Sequence, residues 1–190
     1  MQAPSDDAIE RAETVRRAIQ EGNDPVPAAV QGLGDADPLV RGTTVSLLLS
    51  AETHLVTEVV TTWQRERGPL YAPDRSVELR MLACELVGRD DIAAVDRRRV
   101  CTEGLRDRDP LIRSRAVARC TAAGLLDEAA IERALGDPHW AVRTRLATSI
   151  AGAPDGAAAC AVGRRLAGDT HATVRSAASP ALARCQDNDD

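Results

Sequence analysis

The chain has 190 residues, of which 44% are hydrophobic but only 2% aromatic (two Trp, one Tyr, no Phe), and its net charge is -5. All 24 residues counted as Lys+Arg are Arg, which excludes a Walker-type phosphate loop, a Schiff-base nucleophile and a lysine general base. Three aromatics cannot supply the stacking platforms of single-stranded nucleic-acid binders, and a pI near 5.3 argues against a generally basic DNA-binding surface.

A core without Phe but with 33 alanines must be built from Ala, Leu and Val, which suits close helix packing. There is no run of 18 apolar residues, so no spanning helix is expected and no membrane partner. The polar start MQAPSDDAIERAE lacks the charged and apolar regions of a secretory signal. The five cysteines, Cys84, Cys101, Cys120, Cys160 and Cys185, are odd in number and form no CxxC pair. Spaced singly within apolar helical patterns, they are expected to be reduced core thiols of a cytoplasmic protein.

Residues 5–22 come first, with apolar positions at Ala8, Ala12, Val15 and Ile19 that predict an amphipathic helix. Beyond them the chain repeats itself. The segments LGDADPLVRGT, YAPDRSVELRML, LRDRDPLIRSRA, LGDPHWAVRTRL and LAGDTHATVRSA align on Arg41, Arg80, Arg113, Arg143 and Arg175. Six residues before each Arg lies Asp35, Asp74, Asp107, Asp137 or Asp169, and immediately before it an aliphatic residue. A period of this size is the signature of a repeat architecture. The repeats span about 26–51, 52–88, 89–123, 124–152 and 153–186, and each reads as two helices.

In the first and third repeats the second helix opens with Asp37-Pro38 and Asp109-Pro110, a capping carboxylate followed by Pro at the first helical position. Ser76, His139 and His171 hold the cap position in the others. The stretch His54–Trp63 is rich in Val and Thr, which favour strands. Its apolar residues, Leu55, Val56, Val59, Val60 and Trp63, step at helical intervals, so a helix is predicted. The connection GPLYAP over 68–73 lengthens the second repeat and reads either as a binding edge or as a tolerated spacer. Pro180 is expected to kink the last helix or end it early. An acidic tail at 187–190 is expected to fray. The class is all-α.

A helix followed by D-x-x-P-x-V-R opening a second helix resembles the HEAT-like repeat family, in particular the short repeats of the phycobilisome-lyase type. The resemblance covers roughly 26–186. It implies a right-handed α-solenoid of about five helical hairpins in a single repeat domain over 1–186, with 5–22 as a capping helix. It also implies that the repeated Asp and Arg form a structural ladder between neighbouring turns. A guanidinium offers five donors in a planar fork that can bridge turn carboxylates and carbonyls.

In HEAT-like arrays the second helices line the concave face. Arg115 and Arg145 share a repeat position there, and Arg119 lies one turn beyond Arg115. These three arginines are candidate contacts for an anion or an acidic partner, against a bland reading as a solvated helix face. Trp140, at the start of a second helix, is either packed on the neighbouring repeat or exposed as an anchor. Two imidazoles, His139 and His171, do not make a metal site by themselves, and no metal or cofactor is expected. No Ser-His-Asp or Cys-His spacing suggests catalysis. The expected function is therefore a non-catalytic adaptor that binds a protein partner along its concave face. The alternative is a nucleic-acid-binding protein related to the alkyl-base DNA glycosylases of the same family, whose catalytic residues find no counterpart here.

Overall fold

The computed structural model describes residues 5–22, 24–89, 94–153, 156–183 and 185. The proposed tail at 187–190 lies outside them. The described residues are all-α, with eleven α-helices and no strand. The chain divides into two compact units, 1–83 and 84–190.

In the first unit, α1 (Asp6–Glu21) starts where the Ser5 side chain accepts a bond from the Ala8 N–H, and it stops at Gly22. Gly22 has φ 74°, a left-handed conformation that costs glycine nothing. Next come α2 (Pro25–Leu33), α3 (Pro38–Ser50) and α4 (Thr53–Arg67). The Asp37 carboxylate accepts from the Leu39 N–H at 2.8 Å and Pro38 sits in the first turn of α3, as the Asp-Pro pattern predicts. The His54–Trp63 stretch lies within α4, so helical spacing outweighs strand propensity there. The core joins Ala8, Ala12 and Val15 of α1 to Val40 of α3, with Ile19 packed against them. α1 packs on both α2 and α3, and α2 on α4. A β-carbon at Gly32 would collide with the Thr44 hydroxyl and come within 3.1 Å of Val15, so glycine permits the close approach of α1, α2 and α3. The 68–76 connection has no helix, yet Leu70 and Tyr71 are buried. α5 (Val77–Glu85) carries the division between the units.

The second unit continues through a short 3-10 turn at 86–88 into α6 (Ala94–Gly104), α7 (Pro110–Ala122), α8 (Glu128–Leu135), α9 (Trp140–Ile150), α10 (Gly156–Leu166) and α11 (Ala172–Ala183). α6 packs on α7, α8 on α9 and α10 on α11, while α9 also lies against both α7 and α11. Asp109 caps α7 through the Leu111 N–H at 2.9 Å, and His139 caps α9 by accepting the Ala141 N–H on Nδ1 at 3.3 Å. Of the two outcomes expected of Pro180, a kink or an early end, the early end is corrected, because α11 runs on to Ala183.

Small residues set the packing distance. A β-carbon at Gly104 would lie 2.9 Å from that of Ala116, and one at Gly163 would lie 2.8 Å from the Leu182 nitrogen. The second clash is with backbone, which cannot rotate away. Gly163→Ala is therefore expected to destabilise the chain, with overpacking of about 1–3 kcal/mol set against about 1 kcal/mol of helix propensity. Gly42→Ala, on α3 with open space around its β-position, should instead gain up to about 1 kcal/mol. Thermal melts of the two variants should move in opposite directions.

The cysteines depart most from expectation. Cys101 on α6 is bonded to Cys120 on α7, and Cys160 on α10 to Cys185 just past α11. Cys84 alone stays outside a disulfide, buried in the core. The expectation of five reduced core thiols is corrected accordingly. Single cysteines on facing positions of paired helices stand with Cα atoms 5.9 and 4.9 Å apart, within bonding range, and no short-range motif announces this. With two disulfides formed, the cysteines do not support a cytoplasmic location, since disulfides persist mainly in oxidising compartments. Among the described residues no helix is long and apolar enough to cross a membrane.

Candidate functional site

The repeated Asp and Arg form a connected chain of bonds. Arg113 sends Nε and Nη2 to the two carboxylate oxygens of Asp137 at 2.7 and 2.9 Å, and Arg143 does the same to Asp169 at 2.6 and 2.9 Å. The remaining Nη1 of each Arg turns back to its own inter-helix turn, donating to the Asp107 carbonyl at 2.9 Å and to the Asp137 carbonyl at 2.7 Å. Each Asp closes its own turn as well. The backbone N–H groups of Asp37, Asp109, His139 and His171 donate at 2.8 Å to Asp35, Asp107, Asp137 and Asp169. One arginine thus ties two successive turns, and one carboxylate accepts from both sides.

Two members differ from the sequence expectation. Arg41 holds the carbonyls of Asp35 and Ala36 but reaches Glu78, at 3.1 Å, as its carboxylate. Asp74 is exposed and has no partner among the described residues, because the longer 68–76 connection carries it away from the turn position. Arg80 is buried, with Nε donating to the Arg75 carbonyl. Arg175, at the end of the series, bonds only the carbonyls of Asp169 and Thr170 among the described residues. Arg11 of α1, not singled out from the sequence, makes the bidentate bond to Asp35 at 2.9 and 3.1 Å. Its signal was present: Arg11 precedes Asp35 by 24 residues, as Arg113 precedes Asp137.

These bonds set the titration. The Arg143 fork holds the Asp169 carboxyl below the ordinary range against the opposing effect of burial, and the His171 N–H adds to it. Arg11 does the same for Asp35, with the Asp37 N–H contributing. A carboxyl whose folded pKa lies below its unfolded one stabilises the fold fully above about pH 4. That contribution is lost as the pH falls through the depressed folded value. Stability measured by urea midpoint should therefore be flat near neutrality on account of these groups and fall below about pH 4. A midpoint that rose on acidification would contradict the bonding.

The candidate binding arginines are differently placed. Arg115 Nε lies 2.9 Å from one oxygen of Glu85, and Arg119 pairs with the other. Glu85 is nearly enclosed, so two of the three guanidinium groups share one acid rather than standing open. No spacing along the chain points to Glu85, which belongs to α5. Arg145 on α9 is exposed and has no carboxylate partner among the described residues.

Trp140 combines the two alternatives considered for it. Its ring is stacked on His171 at 4.6 Å with an interplanar angle of 3°, and His139 stacks at 5.9 Å. Yet the residue is 41% exposed, and Leu111 on the adjacent second helix α7 is 53% exposed. The indole is therefore fixed in orientation while much of its surface faces solvent. Among the described residues, no group of three or more His, Cys, Asp or Glu is placed to hold a metal ion. A cavity of about 590 Å³ is lined by Leu126 in the turn before α8, Ile131 and Leu135 of α8 and Val162 of α10, with Glu132 and Arg165 paired at its wall.

Comparison with models of known protein families and with characterised proteins finds no match.

Proposed function

We propose that the chain is a HEAT-like α-solenoid, with five helical hairpins behind the α1 cap, that serves as a non-catalytic adaptor for a protein partner. The partner lies along the face of the second helices, with Trp140 as its anchor. The observation that carries this reading is the indole held flat against His171 while 41% exposed. An aromatic surface ordered before binding loses little entropy on association and suits an interface hot spot. The turn arginines support the reading by being spent on the fold, which leaves the binding face to Trp140, Leu111 and Arg145. The nucleic-acid alternative is less well supported, since Glu85 cancels half the positive charge of Arg115 and Arg119.

The test is affinity capture from the native host using wild-type protein and Trp140→Ala. The variant should keep its helical content and melting temperature but bind the captured partner about 30-fold more weakly, as loss of a hot spot of about 2 kcal/mol implies. Equal capture by the variant, or tight salt-dependent binding of duplex DNA by the wild type, would refute the proposal.

A further inference from the structure

The first unit holds a second cluster of arginines that the turn network does not use. We propose that Arg67 and Arg75, mounted on the ring of Trp63, form a binding site for a phosphate dianion, either inorganic phosphate or a phosphate monoester. This site does not depend on the adaptor reading.

Trp63 is 1% exposed, and its indole N–H is buried without a hydrogen-bond partner among the described residues. The guanidinium carbons of Arg67 and Arg75 stand 5.3 and 5.6 Å from the centre of its ring. Neither arginine has a carboxylate partner among the described residues. Arg67 donates no hydrogen bond from its side chain among the described residues. Arg75 donates one, from Nη2 to the Arg67 carbonyl, and its Nε–H is buried and unpaired. Elsewhere in the chain an arginine held this closely meets an acid: Arg11 meets Asp35, Arg41 meets Glu78, Arg113 meets Asp137 and Arg143 meets Asp169.

Two like charges gathered on one ring repel, and the cation–π contact of each offsets only part of that. Both groups are nevertheless held in place by the fold. Arg75 is bound at the C-terminal end of α4, where backbone carbonyls favour a cation. Arg67 lies against Gly34 at the end of α2, and any β-carbon there would collide with its Nη1. Gly68, with φ 80°, turns the chain out of α4, and the connection that follows returns Arg75 to the ring with Leu70 and Tyr71 buried beneath it in sequence. The nearby acids do not answer the charge, since Glu66 faces Arg65 and Asp74 is exposed without a partner among the described residues. Of ten side-chain N–H donors on the two guanidinium groups, one is used among the described residues. Two planar forks on one ring, with open donors, match a tetrahedral dianion, whose second charge answers the second guanidinium where a carboxylate carries only one. Arg67 is exposed, so the site is open to solvent on that side.

Trp140→Phe leaves Trp63 as the sole tryptophan, so its emission reports on this site alone. In that background, inorganic phosphate and O-phosphoserine are titrated at constant ionic strength, with chloride and acetate as controls. The expected result is a saturable change in Trp63 emission with phosphate and a raised melting temperature. Chloride should produce neither change, and acetate should bind at least tenfold more weakly. Arg67→Gln, at an exposed position, should fold normally and weaken phosphate binding at least tenfold. Tighter binding of O-phosphoserine than of inorganic phosphate would identify a monoester as the ligand, and equal binding the free ion. A response to phosphate no greater than to chloride, or unchanged affinity in Arg67→Gln, would overturn the proposal.

Discussion

Arg113→Ala is expected to lower the melting temperature by roughly 10 °C. The substitution removes both bonds to the Asp137 carboxylate and the tie to the Asp107 carbonyl. Asp137 is 7% exposed, so it would remain as a nearly enclosed charge whose carboxylate keeps, among the described residues, the hydrogen bond from the His139 N–H. Breaking an enclosed ion pair from one side costs about 3–5 kcal/mol, because the remaining partner is neither paired nor hydrated. In a chain of this length each kcal/mol moves the midpoint by about 2–4 °C. Arg175→Ala is the internal comparison. That residue bonds two carbonyls at the surface and no carboxylate among the described residues, so its loss should cost about 0.5 kcal/mol or less. Calorimetry on the pair would contradict the turn network if both variants melted alike.

Reducing the disulfides should cost about as much. Cys101–Cys120 closes 19 residues and Cys160–Cys185 closes 25, and loops of that size restrict the unfolded chain by about 3 kcal/mol each. The first clamps α6 to α7 around Val87, Val100 and Leu125. The second ties the end of the chain past α11 to α10. A strong reductant should therefore lower the melting temperature by more than 5 °C, and Cys101→Ala with Cys120→Ala should reproduce part of the fall. Thiol titration of the unfolded, unreduced protein should count one group, Cys84. A count of five would contradict both bonds.

The helices were largely legible in the sequence because one face of each must be apolar and each turn must be capped. Val40, Ile112, Val142 and Val174 precede their arginines and are all buried, as their fixed offset implies. The His54–Trp63 segment was readable for the same reason, since spacing reports the buried face while composition reports only a propensity. What failed was whatever depends on distance between helices rather than on spacing along one. Asp74 obeys the six-residue rule but lies on a lengthened connection, so Glu78 takes its place. The disulfides join residues 19 and 25 apart, and a spacing of that kind carries no motif. Arg115 and Arg119 looked open because Glu85, which closes them, belongs to another helix. Trp140 resisted a binary choice because stacking on His171 buries one face of the ring only.

The absence of Lys and Phe takes on a physical meaning in this light. Glycine and alanine at Gly32, Gly104, Ala116 and Gly163 bring helices closer than Phe would allow. Arginine, with its planar fork, can tie two turns at once, which a lysine ammonium on a single flexible stem does less well.

Whether the recurring charges belong to the fold is tested most directly by a double-mutant cycle on Arg143 and Asp169. Urea unfolding of Arg143→Ala, Asp169→Ala and the double variant gives their coupling energy. The bidentate contact at 2.6 and 2.9 Å predicts a coupling of at least about 1.5 kcal/mol, with the double variant far less destabilised than the two single losses added together. Losses that add within about 0.3 kcal/mol would mean that the two residues do not act as a pair, and would contradict a structural role for the repeat.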